Sequence, residues 1–488
     1  MDMFDNRIYK HPILSFDRGK KIKFFLDGKE LFGYENETIG AALHANGITT
    51  LSKSPNLNRP RGFFCGIGKC SSCLMTVNGV PNERTCILPL KEGMDIHVQE
   101  GKGKAINVGK DDKKVSTEKC DVLIIGSGPA GLSAAMETTN YGLDTIVIDE
   151  NPIVGGQLIK QTHRFFGSEK EYAGVRGIDL SPLILENCNR KKLKFYTMAS
   201  AFGYYPEGVT VELEDQVKLI KTKKVIVACG AQENFLVFEN NDLPGIYGAG
   251  GVQTLMNVYG VKPGNRVLMV GSGNVGLIVS YQLLQAGVEV KCVVEVMDRI
   301  GGYYVHAAKL KRQGVPILLR HTIEEAIGNE KVEGAVVRDL ESGEKKCFEV
   351  DLICIAVGLT PSVQLLQQAG CKTAYIPELG GEVALHDECY ETTVHGLYVV
   401  GDTSAIEEAS SAMLEGRIAG ISVFLDLDLN LNLNLNLDLN HLKGTKEALS
   451  KREELRKELH EIRDSPFGKK IVAGDEKMKK LVEACYGH

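Results

Sequence analysis

Cys65, Cys70 and Cys73 follow a C-x4-C-x2-C spacing closed further on by Cys86, and this quartet constrains the fold more tightly than any other feature. It is the ligand spacing of a plant-type 2Fe–2S cluster. Such thiolates must converge on two irons, which implies a short, tightly wound loop. Gly62, Gly66 and Gly68 surround the first ligand. Lacking a Cβ, they let the loop wrap closely and aim backbone N–H groups at sulfur. Structural zinc and buried free thiols are the alternatives. A zinc ribbon shows two C-x2-C knuckles, whereas this stretch has one.

Two G-x-G-x-x-G turns follow, at Gly126, Gly128 and Gly131 and again at Gly271, Gly273 and Gly276. Each is preceded by a short apolar run, Val122 to Ile125 or Arg266 to Val270, and opens a helical pattern, Pro129 to Thr139 or Val275 to Ala286. Thr145 to Ile148 and Glu289 to Val294 supply the next strands, completing two βαβ units in series. Each half also ends in an apolar strand running into glycine, Val225 to Gly230 and Leu352 to Gly358. A helix N-terminus after such a turn offers free N–H groups and a favourable dipole to a pyrophosphate. Asp149, with Glu150 beside it, lies where an acid bonds ribose hydroxyls, and Glu295 holds the same place in the second unit. An acid there favours the free 2′-hydroxyl of NAD. A lost or reassigned second site is the competing reading.

The first hundred residues read as a compact β-rich unit. Ile22 to Leu26, the Asp27-Gly28 turn and Lys29 to Tyr34 form a hairpin signature. Thr38 then stands as N-cap of a short helix that stops at Asn46-Gly47. Hairpin, helix and cysteine loop follow the order of a β-grasp ferredoxin. Residues 101–119, rich in Lys, Gly and Asp, read as a connection. Leu425 to Asn440 alternates Leu with Asp or Asn and reads as a flexible or edge-ribbon surface insertion, since Asp and Asn are poor strand formers. Thr445 to Asp464 reads as an exposed helix with i,i+4 charge pairs.

Composition narrows the function classes. The 488 residues are 43% hydrophobic and 25% charged with a net charge of −6, which argues for a globular chain and against a nucleic-acid footprint. No segment approaches a membrane span, and the N-terminal residues lack a signal pattern, so a cytoplasmic location is expected. Thirteen cysteines, an odd number, argue against a disulfide framework. No cysteine pair outside the cluster loop is placed for thiol–disulfide exchange. There is no G-x-S-x-G elbow or H-E-x-x-H zinc motif. His163, His306 and His395 read as structural, and no catalytic residue is assigned.

A further stretch carries a resemblance. Gly396 to Asp402 (GLYVVGD), followed by the helical pattern Ser411 to Gly420, resembles the closing flavin motif of the pyridine nucleotide–disulfide oxidoreductase superfamily. There the Asp contacts the ribityl chain of FAD. The cysteine loop, the stretch Gly126 to Gln157 and the segment Asn241 to Met256 together resemble the α subunits of heteromeric amino- and imino-acid dehydrogenases. Sarcosine oxidase, dye-linked proline dehydrogenase and hydrogen cyanide synthase are of this kind. The resemblance runs to about Leu425.

The resemblance implies an α/β chain with a β-grasp ferredoxin-like domain and tandem Rossmann-like domains. It implies a 2Fe–2S cluster on Cys65, Cys70, Cys73 and Cys86. FAD would be held by Gly126, Gly128, Pro129, Ala130, Gly131, Asp149, Glu150, Gly156, Gln157, Gly401 and Asp402. NAD, or another adenine nucleotide such as ATP, would lie on Gly271, Gly273, Gly276 and Glu295. The expected divisions are 1–105 for the cluster domain, 106–119 linker, 120–245 and 361–424 for the FAD domain, and 246–360 for the second nucleotide domain. Residues 425–444 would be the insertion and 445–488 a helical C-terminal segment. The expected partners are a D-amino-acid-oxidase-like flavoprotein β subunit, which would dehydrogenate the amine, and a small-molecule acceptor or carrier of electrons. A self-sufficient NADH:acceptor oxidoreductase and a non-catalytic electron-transfer scaffold are the rival readings.

Overall fold

The computed structural model describes residues 5–104, 115–165, 170, 172–213, 216–432, 439–465 and 467–486. It divides into two compact units. One gathers Met1–Lys110, Lys160–His163 and Glu233–Gly358; the other gathers Asp111–Ile159, Arg164–Gln232 and Leu359–His488. The cysteine loop therefore shares a unit with the second glycine turn.

The first unit begins with a mixed five-stranded sheet. Lys21–Leu26 pairs antiparallel with Lys29–Tyr34 and parallel with Asp95–His97, which Leu74–Val77 and then Val80–Arg84 extend. The helix Ile39–Ala45 starts where expected, because Thr38 Oγ1 accepts from the Ala41 N–H at 3.3 Å. This is the β-grasp arrangement. The same unit holds a parallel sheet in the order Ile246–Gly248, Leu352–Ile355, Arg266–Val270, Glu289–Glu295, Ile317–Leu319. One hydrophobic core serves both sheets, running from Phe24, Leu43 and Phe63 to Tyr247, Met256 and Val267.

The second unit repeats the parallel pattern. Leu397–Val399, Gln216–Val227, Ser116–Ile125, Thr145–Ile148 and Leu193–Tyr196 run side by side, with an antiparallel extension through Gly208–Leu213 and Ala199–Tyr205. The strand ending before glycine lies next to the turn-bearing strand in both units, as in tandem Rossmann-like domains.

Three expectations need correction. Ser116 to Lys119, read as linker, opens the strand Ser116–Ile125, while 105–114 lie outside the described residues. The Leu-Asp/Asn tract is not a surface ribbon where it is described. Residues 425–432 continue the helix Ala409–Asn432, and Leu425 and Leu427 are buried in its core. Residues 433–438 of the tract lie outside the described residues, and 439–440 open the helix Leu439–Arg463. That last helix is not simply exposed either: Ala448, Leu455 and Leu459 are buried with Leu425 and Leu427. Among the described residues no helix is long and apolar enough to cross a membrane.

Inside the first unit a buried histidine joins the two sheets. His44 Nδ1 lies 2.9 Å from the Gly40 carbonyl, and its Nε2 lies 3.0 Å from the Tyr247 hydroxyl. Burial pushes the imidazole down to about 4, so it stays neutral, with Nδ1–H donating to Gly40 and Nε2 accepting from Tyr247. Tyr247→Phe removes that donor and leaves a buried acceptor unsatisfied. Stability is expected to fall by about 1–3 kcal/mol. The check is a lower urea midpoint at unchanged denaturant slope.

Candidate functional site

The cysteine loop is held by its own backbone and by the chain it packs on. Gly66 and Gly68 sit at φ +66° and +74°, the left-handed region glycine tolerates. Their turns bring Cys65, Cys73 and Cys86 into the interior, with Cys70 half-buried. The Cys70 N–H points at Cys65 Sγ, 3.4 Å away. Hydrogen bonds from Cys70, then Cys86, push the Cys65 thiol down; donation to Cys65 pushes Cys70 up. Cys86 also bonds Cys73, so the four sulfurs converge. A soft, buried, all-thiol set with backbone N–H groups on sulfur fits an iron–sulfur cluster.

This loop rests on a glycine-rich helical start, Ala249–Gln253, which passes into a π-turn over Thr254–Val258. A Cβ at Gly251 would lie 2.0 Å from the Phe64 carbonyl oxygen, and one at Gly66 would lie 3.1 Å from the Gly251 Cα. Gly250 in turn is held by two desolvated charges. Its N–H donates to Glu233 Oε1 at 2.7 Å, and its carbonyl accepts from Lys160 Nζ at 2.9 Å. Lys160 Nζ also reaches Thr254 Oγ1 at 3.2 Å. Desolvation pushes Glu233 up to about 7 and Lys160 down to about 8. Neither residue stood out in the sequence, since an isolated Lys or Glu carries no motif.

The two glycine turns share one internal lock. In the second unit, Asp149 Oδ2 accepts from the Ser127 N–H (2.8 Å) and Oγ (2.6 Å), while Oδ1 accepts from the Asn151 N–H (2.9 Å). In the first unit, Glu295 Oε2 accepts from the Ser272 N–H (2.8 Å) and Oγ (2.6 Å), while Oε1 accepts from the Met297 N–H (3.0 Å). Each serine oxygen then takes a loop N–H, from Gly155 at 3.3 Å or Gly301 at 3.2 Å. Gly301-Gly302 is thus the counterpart of Gly155-Gly156. The parallel spacing in VIDENPIVGG and VVEVMDRIGG would have revealed it.

The turns also have the shape a pyrophosphate needs. A Cβ at Gly126 would meet the Ala228 carbonyl at 2.2 Å, and one at Gly131 would meet the Gly126 carbonyl at 1.9 Å. The middle glycines, Gly128 and Gly273, face open space and cap helices that have no side-chain cap. Pro129 occupies the first helical position after Gly128, where its missing N–H costs nothing. Ala130 is buried against Gly401: a Cβ there would be 2.8 Å from that of Ala130. The Gly401-Asp402 turn therefore closes on the first glycine turn. Asp402 accepts from the Glu407 N–H at 3.4 Å, and burial pushes its carboxyl up to about 7. Gly156, at φ +53°, packs over Gly128; Gln157 is exposed and Glu150 half-buried beside Asp149. Among the described residues no cysteine is joined to another by a disulfide. His306 is buried, and the exposed His395 lies 2.8 Å from Glu391.

Two family models match this chain, one over each of the regions described above. A pyridine nucleotide-disulphide oxidoreductase family model matches residues 120–416, and a 2Fe-2S iron-sulfur cluster binding domain matches residues 19–101. The α subunit of sarcosine oxidase from Corynebacterium sp. (strain P-1) is 26% identical over 443 residues, 84% of this chain and 44% of that protein. The chain thus spans less than half of that relative. An opine oxidase subunit from Agrobacterium tumefaciens (strain Ach5) is 27% identical over 63% of this chain and 65% of its own length. The crystal structure of L-proline dehydrogenase from P. horikoshii superposes with a TM-score of 0.68 at 27% identity, covering 92% of this chain and 79% of that one.

The loop contact yields a sharp test. Gly251→Ala drives a Cβ into backbone, so either the cluster loop or the helix start must shift. Gly250→Ala meets only the ends of Lys160 and Glu233, at 3.1 and 3.3 Å, which can give way. Iron and acid-labile sulfide per chain should fall sharply in Gly251→Ala and stay near the parent level in Gly250→Ala.

Proposed function

The chain belongs to the pyridine nucleotide-disulphide oxidoreductase family, and on that premise we propose that it is the FAD- and 2Fe–2S-carrying subunit of a heteromeric amino- or imino-acid dehydrogenase. One observation carries this reading: four thiols converge in a chain that also has a complete flavin-type turn, closed by Gly401-Asp402. When bound, FAD supplies two-electron chemistry and the cluster one-electron chemistry.

The chain's own residues divide the work. The N–H groups at the start of Pro129–Asn140 take the pyrophosphate, and Gly128 lets it approach. Asp149, whose carboxylate already accepts from the Ser127 N–H and hydroxyl and from the Asn151 N–H and side-chain amide, reaches a ribose hydroxyl by giving up the Asn151 side-chain amide on Oδ1. Asp402 holds the ribityl chain. Cys65, Cys70, Cys73 and Cys86 hold iron, and the Cys70 N–H stabilises charge on sulfur. No residue of this chain is assigned to break the substrate C–H bond. That step belongs to a partner flavoprotein of D-amino-acid-oxidase type, acting on proline, hydroxyproline, sarcosine, glycine or an opine.

The second glycine turn supports a second reading. Its lock matches the first bond for bond, which favours an adenine nucleotide there, with Glu295 selecting NAD over NADP. In that case NADH could exchange hydride with the flavin of this chain alone, without a partner.

The experiments separate these. Anaerobically purified protein should contain iron, sulfide and FAD, and show a paramagnetic signal after dithionite treatment. Cys86→Ser should remove that signal and keep the FAD. Co-purification from the native host should bring down the partner, and only the complex should turn over an amine. Full amine turnover by the isolated chain would overturn the division of labour. Flavin bleaching by NADH in stopped flow, without partner, would favour the second reading.

A further inference from the structure

The C-terminal helices reach back to the turn that closes the flavin site, through a buried network of charge. Arg463, the last residue of Leu439–Arg463, is 8% exposed. Its Nη2 donates to Glu415 Oε1 at 2.6 Å, its Nε to Glu407 Oε2 at 3.1 Å, and its Nη1 to Asp475 Oδ2 at 2.9 Å. A further short contact joins Nη2 to Glu407 Oε1.

Both buried glutamates lead to the flavin turn. Glu415 Oε2 accepts from the Gly401 N–H at 2.7 Å and from Ser404 Oγ at 2.9 Å. The Glu407 backbone N–H donates to Asp402 Oδ1. One guanidinium thus fixes the residues that set the position of Gly401 and the orientation of Asp402. Gly401 has no slack to absorb a shift, since it sits at φ +65° against Ala130.

The energetics run the same way. Desolvation pushes Glu415 up to about 8 and Asp475 to about 6; for both, Arg463 pulls in the opposite direction. Without that cation two or three carboxylates share a water-poor site, and they must take up protons or move apart. A Glu415 that moves away in this manner no longer accepts from the Gly401 N–H. Arg463 and Asp475 also lie beyond residue 416, where the family match ends.

We propose that Arg463 is a positioning residue for the flavin, acting through Glu415 and Glu407 on the Gly401-Asp402 turn, so that the C-terminal helices are part of the FAD site. This rests on the reading of Gly401-Asp402 as a flavin contact.

The test uses the full chain, loaded with FAD and cluster. The readouts are the FAD dissociation constant from flavin fluorescence, the visible flavin spectrum, and the dithionite-reduced paramagnetic signal as an internal control. Arg463→Met should weaken FAD binding at least about tenfold and alter the flavin spectrum while leaving the cluster signal intact. Arg463→Lys should recover part of the affinity. Combining Arg463→Met with Glu415→Gln should also recover part, because an amide oxygen still accepts from Gly401 and no longer carries an unpaired charge. An Arg463→Met affinity within about twofold of the parent, or a double variant no better than the single one, would overturn the proposal. Should Arg463→Met fail to fold, Glu415→Gln and Arg463→Lys decide it: unchanged affinity and spectrum in both would overturn it. A parent protein that binds no FAD at all refutes the flavin reading instead, a different outcome from a parent that binds it and a variant that binds it equally well.

Discussion

A carboxylate clamped onto a serine at the tip of a glycine turn is the interaction on which both G-x-G-x-x-G turns depend. A Rossmann turn must present bare N–H groups to an anion, so it cannot spend them on itself. Something else has to fix its shape. Here Asp149 and Glu295, each at the end of the next strand, take both the N–H and the hydroxyl of Ser127 and Ser272. Hydrogen bonds to an ionised acceptor are about twice as strong as neutral ones. The serine oxygen then passes the constraint to the loop that follows, through Gly155 or Gly301. Strand, turn, second strand and loop are fixed together, and the space that a Cβ on Gly128 or Gly273 would enter is left open.

Much of this was legible because the motifs are short-range. Strand, turn, helix and acid occur in sequence order, and Thr38, Asn46 and Gly47 mark a helix whose limits the structure reproduces. The lock itself was hidden: a serine inside G-S-G looks like filler until the acid lies 2.6 Å from its oxygen. The Leu425 to Asn440 tract failed for a different reason. Its period of two matches a strand, and Asp and Asn disfavour both regular structures, so pattern and propensity together gave no helix. What decides the described part is the helix already running from Ala409, together with partners that bury Leu425 and Leu427 from a distant stretch, Ala448 to Leu459. Tertiary burial overrides local preference where the local preference is weak.

The cysteine loop shows the same division between what is local and what is not. Spacing and glycines announce a ligand set. They do not reveal that the loop's floor is Gly251, or that the β-grasp sheet and the second nucleotide sheet share a core with His44 and Tyr247 bonded inside it. Such contacts join residues some two hundred positions apart, and no pattern encodes them. Their consequence is mechanical. The four sulfurs stand in the same compact unit as the second glycine turn, so the geometry of the cluster loop is set by packing in a neighbouring sheet as much as by its own turns.

Buried charge also ties the helices beyond residue 416, where the family match ends, to earlier elements of their unit. Glu137, on the helix that opens at the first glycine turn, is buried and pairs with Arg417 at 2.9 Å and Lys451 at 2.6 Å. Lys451 belongs to the helix Leu439–Arg463, as does Arg463 at its far end. A lone carboxylate in that position would be costly, and a cation supplied by a more distant part of the chain removes the cost without disturbing the turn. The same helix neutralises Glu137 near the end of Pro129–Asn140 and Glu415 behind the Gly401-Asp402 turn. Its burial of Ala448, Leu455 and Leu459 holds the two cations in register. A segment that reads in sequence as a solvated appendage is thereby tied both to the helix that follows the first glycine turn and to the Gly401-Asp402 turn.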